Sequence, residues 1–104
     1  MNAQRRIEER ILAEHKLIAE RLSPTVRDHA RDNLRRWASR YPADKQPLWM
    51  REWADLLAGD EDRLIEVLTS PSEEARRLRS SSPFAGVISP RERWALHKEL
   101  EDSA

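Results

Sequence analysis

The arginines of this chain can bind carboxylate or phosphate groups. Several of them flank one uncharged stretch, residues 80–90. That stretch holds the only phenylalanine, Phe84. Protein interfaces depend strongly on aromatic and arginine side chains, because the first fill apolar pockets and the second bind carboxylates. We therefore predict that this region binds a partner protein. The predicted partner-binding residues are Arg76, Arg79, Phe84, Arg91, Arg93 and Trp94.

The same loop has a structural interpretation. Phe84, Val87 and Ile88 are apolar, and Pro83 and Pro90 bracket them. A surface loop seldom exposes three such side chains together, so the alternative is that Phe84 and Ile88 fill the base of a helical core. The burial of Phe84 distinguishes the two interpretations.

A second basic feature is a ridge of arginines at helical spacing. Arg27, Arg31 and Arg35 recur every four residues, so they share one face of a helix. As a functional site, this ridge would bind phosphate or carboxylate groups. As a structural feature, it is a solvated face whose arginines pair with Asp28 and Asp32, each pair contributing about 0.2–0.5 kcal/mol.

Residues capable of catalysis do not converge in the sequence. His15, His29 and His97 fall on three different predicted helices, and the chain has no cysteine. The serines at 80–82 are expected to end a helix rather than to act as nucleophiles. His15 is expected to be a partly buried residue on a helix face. We therefore expect no enzyme activity, no metal and no cofactor.

Charge also weighs against nucleic acid as the main partner. The formal net charge is zero, whereas nucleic-acid-binding domains are usually basic. The best helix-turn-helix candidate, residues 50–68 with a turn at Gly59, places Asp60, Glu61 and Asp62 where phosphates would lie. A small nucleic-acid-binding regulator is therefore the second hypothesis. The acidic segment 46–75 is expected to pack against basic neighbours or to meet a basic partner.

The elements that must position these residues are helices. Two glycines are few for a chain of 104 residues, and strand-like alternation of apolar residues is missing. We predict an all-α fold, a compact bundle of five to six short helices forming a single domain over residues 1–104. The predicted helices cover residues 2–22, 24–41, 48–58, 61–69, 71–79 and 90–101.

Local signals set these boundaries. Ser23-Pro24 is typical of a helix start, and the segments 70–73 and 89–92 both read as capping boxes with proline at the first helical position. Gly59 is expected to adopt left-handed geometry after the third helix, and Asp60 to cap the fourth. The first helix, residues 1–22, is expected either to pack on the others or to protrude and form a homodimer. A self-associating structural domain is the third hypothesis.

The same composition indicates a location. Without cysteine, disulfides are excluded, and no apolar run approaches the roughly 20 residues of a membrane span. No signal-peptide pattern opens the chain. We expect a cytoplasmic protein with no membrane partner.

A resemblance refines the expected partner. Segment 70–88 followed by Pro90-Arg91-Glu92-Arg93-Trp94, together with segments 33–37 and 49–57, resembles small uncharacterised bacterial proteins. Those proteins are similar to the partners encoded beside nucleotidyltransferase-type toxins or defence proteins. The resemblance covers about the last two thirds of the chain. It implies a helical antitoxin or accessory subunit, not an enzyme, that binds and masks another protein, such as a toxin encoded alongside.

Overall fold

The computed structural model describes residues 3–103, and this part of the chain folds into helices without any strand. The helices are α1 (Ala3–Glu20), α2 (Pro24–Ala38), α3 (Leu48–Ala58), α4 (Glu61–Thr69), α5 (Glu73–Arg79) and α6 (Pro90–Ser103), with a short 3₁₀ turn at Ala43–Lys45. The Cα radius of gyration is 14.2 Å, close to the roughly 13 Å of a compact chain of this length. The predicted all-α bundle is confirmed. Residue 2, the predicted start of the first helix, lies outside the described residues.

The first helix is packed against the rest of the molecule. α1 contacts α4, α5 and α6, while α2 packs on α3, and α4 contacts both α3 and α5. Ile18 of α1 is buried in the common core, although Ile7 near its start is about half exposed. Of the two alternatives for the first helix, the structure therefore shows packing on the others, with α1 in contact with three neighbouring helices.

The centre of the core is Trp53 of α3. Its side chain is fully buried, and its indole Nε1–H donates a hydrogen bond to the carbonyl oxygen of Leu78 at 2.9 Å. Phe84 meets the Trp53 ring edge to face, with 6.0 Å between centroids, a favoured aromatic geometry. These two contacts of Trp53 join α3 to α5 and to the 80–90 loop. Truncation of a buried tryptophan typically costs about 3–5 kcal/mol.

Two predicted helix starts are confirmed. The Ser23 hydroxyl accepts a hydrogen bond from the Val26 amide at 3.1 Å, and Pro24 opens α2. At α6 the capping box is complete. The Glu92 amide donates to the Ser89 hydroxyl at 3.2 Å, and the Ser89 amide donates to the Glu92 carboxylate at 3.3 Å.

The start of α5 differs from its prediction. Its N-cap is Ser72, whose hydroxyl accepts from the Ala75 amide at 3.2 Å. Ser70 already ends α4, since its amide donates to the Glu66 carbonyl at 2.8 Å. The capping box predicted over residues 70–73 is therefore wrong, and α5 begins two residues later than residue 71.

Predictions about three other helix ends also differ from the structure. Gly59 has φ of −98°, so the predicted left-handed geometry is wrong. Asp60 occupies the N-cap position of α4, but its side chain makes no cap hydrogen bond. α2 ends at Ala38 rather than Tyr41, because the next residues form tight turns in which the Tyr41 amide donates to the Ala38 carbonyl at 3.1 Å.

Among residues 3–103, no helix combines the length and the apolar character that crossing a bilayer requires.

Candidate partner-binding site

The 80–90 loop locks the helices together instead of projecting outward. Phe84 and Ile88 are each only 3% exposed, as the structural interpretation of the loop predicted. Phe84 fills the space beside Trp53. The predicted role of Phe84 as a partner contact is contradicted by its burial, because its ring has no surface to offer.

Helix α2 holds this loop in place through two polar side chains. The Asn33 amide group donates to the carbonyl oxygens of Pro83 at 2.9 Å and Ala85 at 3.0 Å. Nε2 of His29 lies 2.8 Å from the Ala85 carbonyl oxygen, so its N–H donates to that oxygen. Neither residue was predicted to hold the loop. Their spacing, one helical turn apart on α2, was the available signal.

The serines at the start of the loop, residues 80–82, end α5 as predicted. The Ser80 hydroxyl donates to the Arg77 carbonyl at 2.6 Å, and the Ser82 hydroxyl accepts from the Phe84 amide at 3.2 Å. These hydroxyls satisfy backbone groups where the helical pattern stops. They form part of the loop's structure.

Arg79 lies in the interior and supports the backbone of α4. Its side chain is buried, and Nη1 donates to the carbonyl oxygens of Val67 at 2.9 Å and Ser70 at 2.6 Å. Burial, reinforced by the nearby positive charge of Arg76, lowers the pKa of the Arg79 guanidinium. The predicted role of Arg79 in partner binding is therefore contradicted, because its donors satisfy carbonyls at the end of a helix.

Arg76 and Arg93 fasten their helices to α1. Arg76 Nη1 lies 2.9 Å from a Glu8 carboxylate oxygen, and Arg93 Nε lies 2.7 Å from a Glu14 oxygen. Hydrogen bonds from Gln4 and Arg76 lower the pKa of Glu8. Both arginines keep more than a third of their side chains exposed, so they remain accessible while serving these contacts.

Within residues 3–103, Arg91 and Trp94 are the predicted site residues that face solvent without an ion pair to another helix. With Ala95 and Lys98 they form what we name the α6 patch, spaced along one outer face of the helix. Trp94 is 65% exposed, and the Lys98 ammonium lies 5.2 Å from its ring centroid. Trp94 faces solvent because Arg93 and His97 occupy the side of α6 that faces Glu14 of α1.

The predicted arginine ridge is divided between structure and surface. Arg27 Nη2 donates to the carbonyl oxygens of Leu57 at 2.7 Å and Gly59 at 3.0 Å, and Arg31 Nη2 donates to Leu57 at 2.5 Å. These cations therefore cap the carbonyl end of α3 and complement its dipole, which explains why Gly59 needs no left-handed closure. Arg35 pairs with Asp32 at 3.3 Å and is largely exposed.

Internal charge complementarity also ties the acidic segment to its neighbours. Arg77 of α5 reaches both carboxylate oxygens of Glu52 on α3, at 3.0 and 2.7 Å. This two-point geometry raises the pKa of Arg77 and lowers that of Glu52. Part of the charge asymmetry seen in the sequence therefore stabilises the fold.

His15 is a structural histidine. It is buried, and its Nδ1–H donates to the Ile11 carbonyl oxygen at 2.7 Å. Burial lowers the pKa of His15 to about 4, so the ring is neutral at pH 7. A cavity of about 200 Å³ lies beside His15, Glu14 and Arg79. Within the described residues, no three His, Asp or Glu side chains converge to hold a metal ion.

Comparisons of the chain with protein-family models, curated proteins and solved structures found no match. The resemblance to antitoxin-like proteins therefore stays a prediction. The residues on which a function can be argued are those that the fold leaves exposed, chiefly the α6 patch.

Proposed function

We propose that the chain is a non-catalytic protein-binding module, antitoxin-like or an accessory subunit, that binds and masks a partner protein through the α6 patch. The observation that carries this proposal is Trp94, a large aromatic side chain left 65% exposed between two cations of the same helix face. Tryptophan and arginine are enriched among the residues that dominate binding energy.

The chemistry of the patch defines the partner surface. The tryptophan ring offers roughly 150–250 Å² for burial, so the partner supplies an apolar pocket. Arg91 and Lys98 lie on either side of the ring along the helix, and the partner pocket is therefore rimmed by carboxylates. Burial of Trp94 would also desolvate Lys98 over its ring, which strengthens the cation–π contact.

The masking role is supported by where the patch lies in the sequence. Segment 70–94, which carries most of the resemblance to proteins encoded beside toxins, includes Arg91 and Trp94. The capping box at Ser89 and Glu92 fixes the first turn of α6 and presents these side chains on a rigid helix. A preorganised anchor reduces the entropy cost of binding.

The test is co-expression of the chain with the products of the genes beside its own, followed by calorimetry of any complex that co-purifies. Trp94→Ala should weaken binding about 30-fold or more, corresponding to the roughly 2 kcal/mol of a hot-spot residue. Leu48→Ala is the matched control, because Leu48 is an equally exposed apolar residue on α3. Its affinity should match that of the wild type.

Two results would contradict the proposal. The first is equal affinity of the Trp94→Ala and wild-type chains for the co-purified partner. The second is binding to DNA or RNA that weakens steeply with salt and no binding to protein, which would favour the regulator hypothesis. Light scattering of the purified chain separately tests self-association through α1.

A further inference from the structure

A groove between α2 and α3 shares no residue with the α6 patch. It encloses about 410 Å³ and has an apolar floor formed by Leu34, Met50 and Leu57, all of them buried. Ala38 on α2 and Ala54 on α3 line its walls. The groove is therefore a depression whose floor belongs to the hydrophobic core.

Two Trp-Ala pairs in the sequence explain why the depression exists. Trp53 is buried and Trp37 half-buried, so both tryptophans fill the helical interior. The alanine that follows each one lies about 100° further around its helix, on the groove side. Because Ala38 and Ala54 have the shortest side chains that still carry a Cβ, the space above the core floor stays open.

Arginines rim this apolar floor on both sides. Arg31 and Arg35 come from α2, and Arg51 comes from α3. Arg31 donates to the Leu57 carbonyl, whereas within the described part of the chain Arg35 pairs only with the exposed Asp32, a contact worth little in solution. Across residues 3–103, Arg51 forms no ion pair. Two exposed cations on opposite walls are therefore available to an occupant.

We propose that this groove binds an acidic amphipathic helix of a partner protein. Apolar side chains of that helix would cover the floor, and its flanking carboxylates would meet Arg35 and Arg51. The lining residues on α2 run from Arg31 to Ala38, which is about two helical turns or roughly 10 Å. This length fits the helix-in-groove mode, in which anchors at i, i+3 or i+4 and i+7 enter an apolar cleft.

The distribution of charge favours a peptide over a small amphipathic anion. A fatty acid carries one carboxylate and is best held by clustered donors at one end of a pocket. Here the cations stand on two different helices and at several positions along the groove. Carboxylates repeated along a helix match that arrangement.

The probe for this inference is a phage-displayed library of random 16-residue peptides selected on the purified full chain. The enriched peptides should combine apolar residues at helical spacing with flanking Asp or Glu. Synthetic copies, labelled with fluorescein, then give dissociation constants by fluorescence polarisation. Ala54→Trp, which fills the groove from an exposed position, and Arg51→Glu should each weaken binding at least tenfold.

Two variants serve as controls. Ala58→Trp adds the same ring to the same helix at an exposed residue outside the groove, and it should bind as the wild type does. Circular dichroism of Ala54→Trp should match that of Ala58→Trp. Trp94→Ala should also retain peptide affinity. Loss of the co-purified partner by Trp94→Ala but not by Ala54→Trp therefore tests the α6 patch separately from the groove.

The inference is overturned if selection enriches no acidic peptide, or if the enriched peptides bind Ala54→Trp as tightly as they bind the wild type. Binding of decanoate that disappears in Ala54→Trp, without any peptide binding, would also overturn it, because the groove would then be a small-molecule site.

Discussion

Replacing Arg79 with alanine should destabilise the fold far more than replacing its neighbour Arg76. Arg79 is 3% exposed, and one of its guanidinium nitrogens donates to the carbonyl oxygens of Val67 and Ser70. Its removal leaves these two carbonyls at the end of α4 without that donor and creates a void beside them. Arg76 instead forms an ion pair with Glu8 at the surface, where its side chain is 42% exposed.

The expected magnitudes follow from these environments. A hydrogen bond to a charged group contributes about 1.5–3 kcal/mol, so loss of both should cost about 3–6 kcal/mol. An exposed ion pair contributes less than about 1 kcal/mol, which sets the expectation for Arg76→Ala. Because small domains have a total stability of about 5–15 kcal/mol, Arg79→Ala is expected to be folded but marginal.

The stability of both variants is measured by urea unfolding, with far-UV circular dichroism as the signal. Arg79→Ala should lower the midpoint strongly while the m-value stays near that of the wild type. Arg76→Ala should shift the midpoint only slightly. The structural role of Arg79 would be refuted if the two variants lost similar amounts of stability, or if Arg79→Ala cost under about 1 kcal/mol.

Two further outcomes are expected. The pKa of His15 is about 4 in the folded chain against about 6.5 when unfolded, so the unfolded state takes up the proton first as the pH falls. Stability should therefore decline from pH 6.5 towards pH 4 with a slope of up to about 1.4 kcal/mol per unit, measured by urea unfolding, and His15→Leu should flatten this slope. Gly86→Ala should lower the unfolding free energy by about 1–2 kcal/mol in the same assay. The reason is that Gly86 has φ of +89° and that a Cβ there would lie 3.2 Å from the His29 ring. An unchanged midpoint would show that the turn tolerates a side chain.

The helices were predictable because their signals are local. The bounds of α3 and α4 match the prediction, and prolines or serines mark where α2, α3 and α6 begin. Capping and proline geometry act over three or four residues, so a reader of the sequence sees all the groups involved. The predicted start of α5 was wrong because a second local signal competes there. Ser70, which was predicted to cap α5, instead ends α4.

The candidate site was less predictable because its contacts are long-range. In the sequence, Arg79 resembles any other surface arginine. Its burial follows from the fold, which places the Val67 and Ser70 carbonyl oxygens at the end of α4 beside it. Asn33 reaches a loop fifty residues away, and helical spacing shows only that it shares a face of α2 with His29. The exposure of Trp94 also depends on a long-range contact, since α6 turns Arg93 towards Glu14 of α1.

The measurement that tests the central claim most directly is hydrogen–deuterium exchange of the chain, alone and bound to the partner that co-purifies with it. If the partner binds through the α6 patch, the amides of residues 90–98 should exchange more slowly in the complex than in the free chain. The Trp94→Ala variant should not show this slowing. Protection confined to other helices, with residues 90–98 exchanging as in the free chain, would contradict the proposed binding surface.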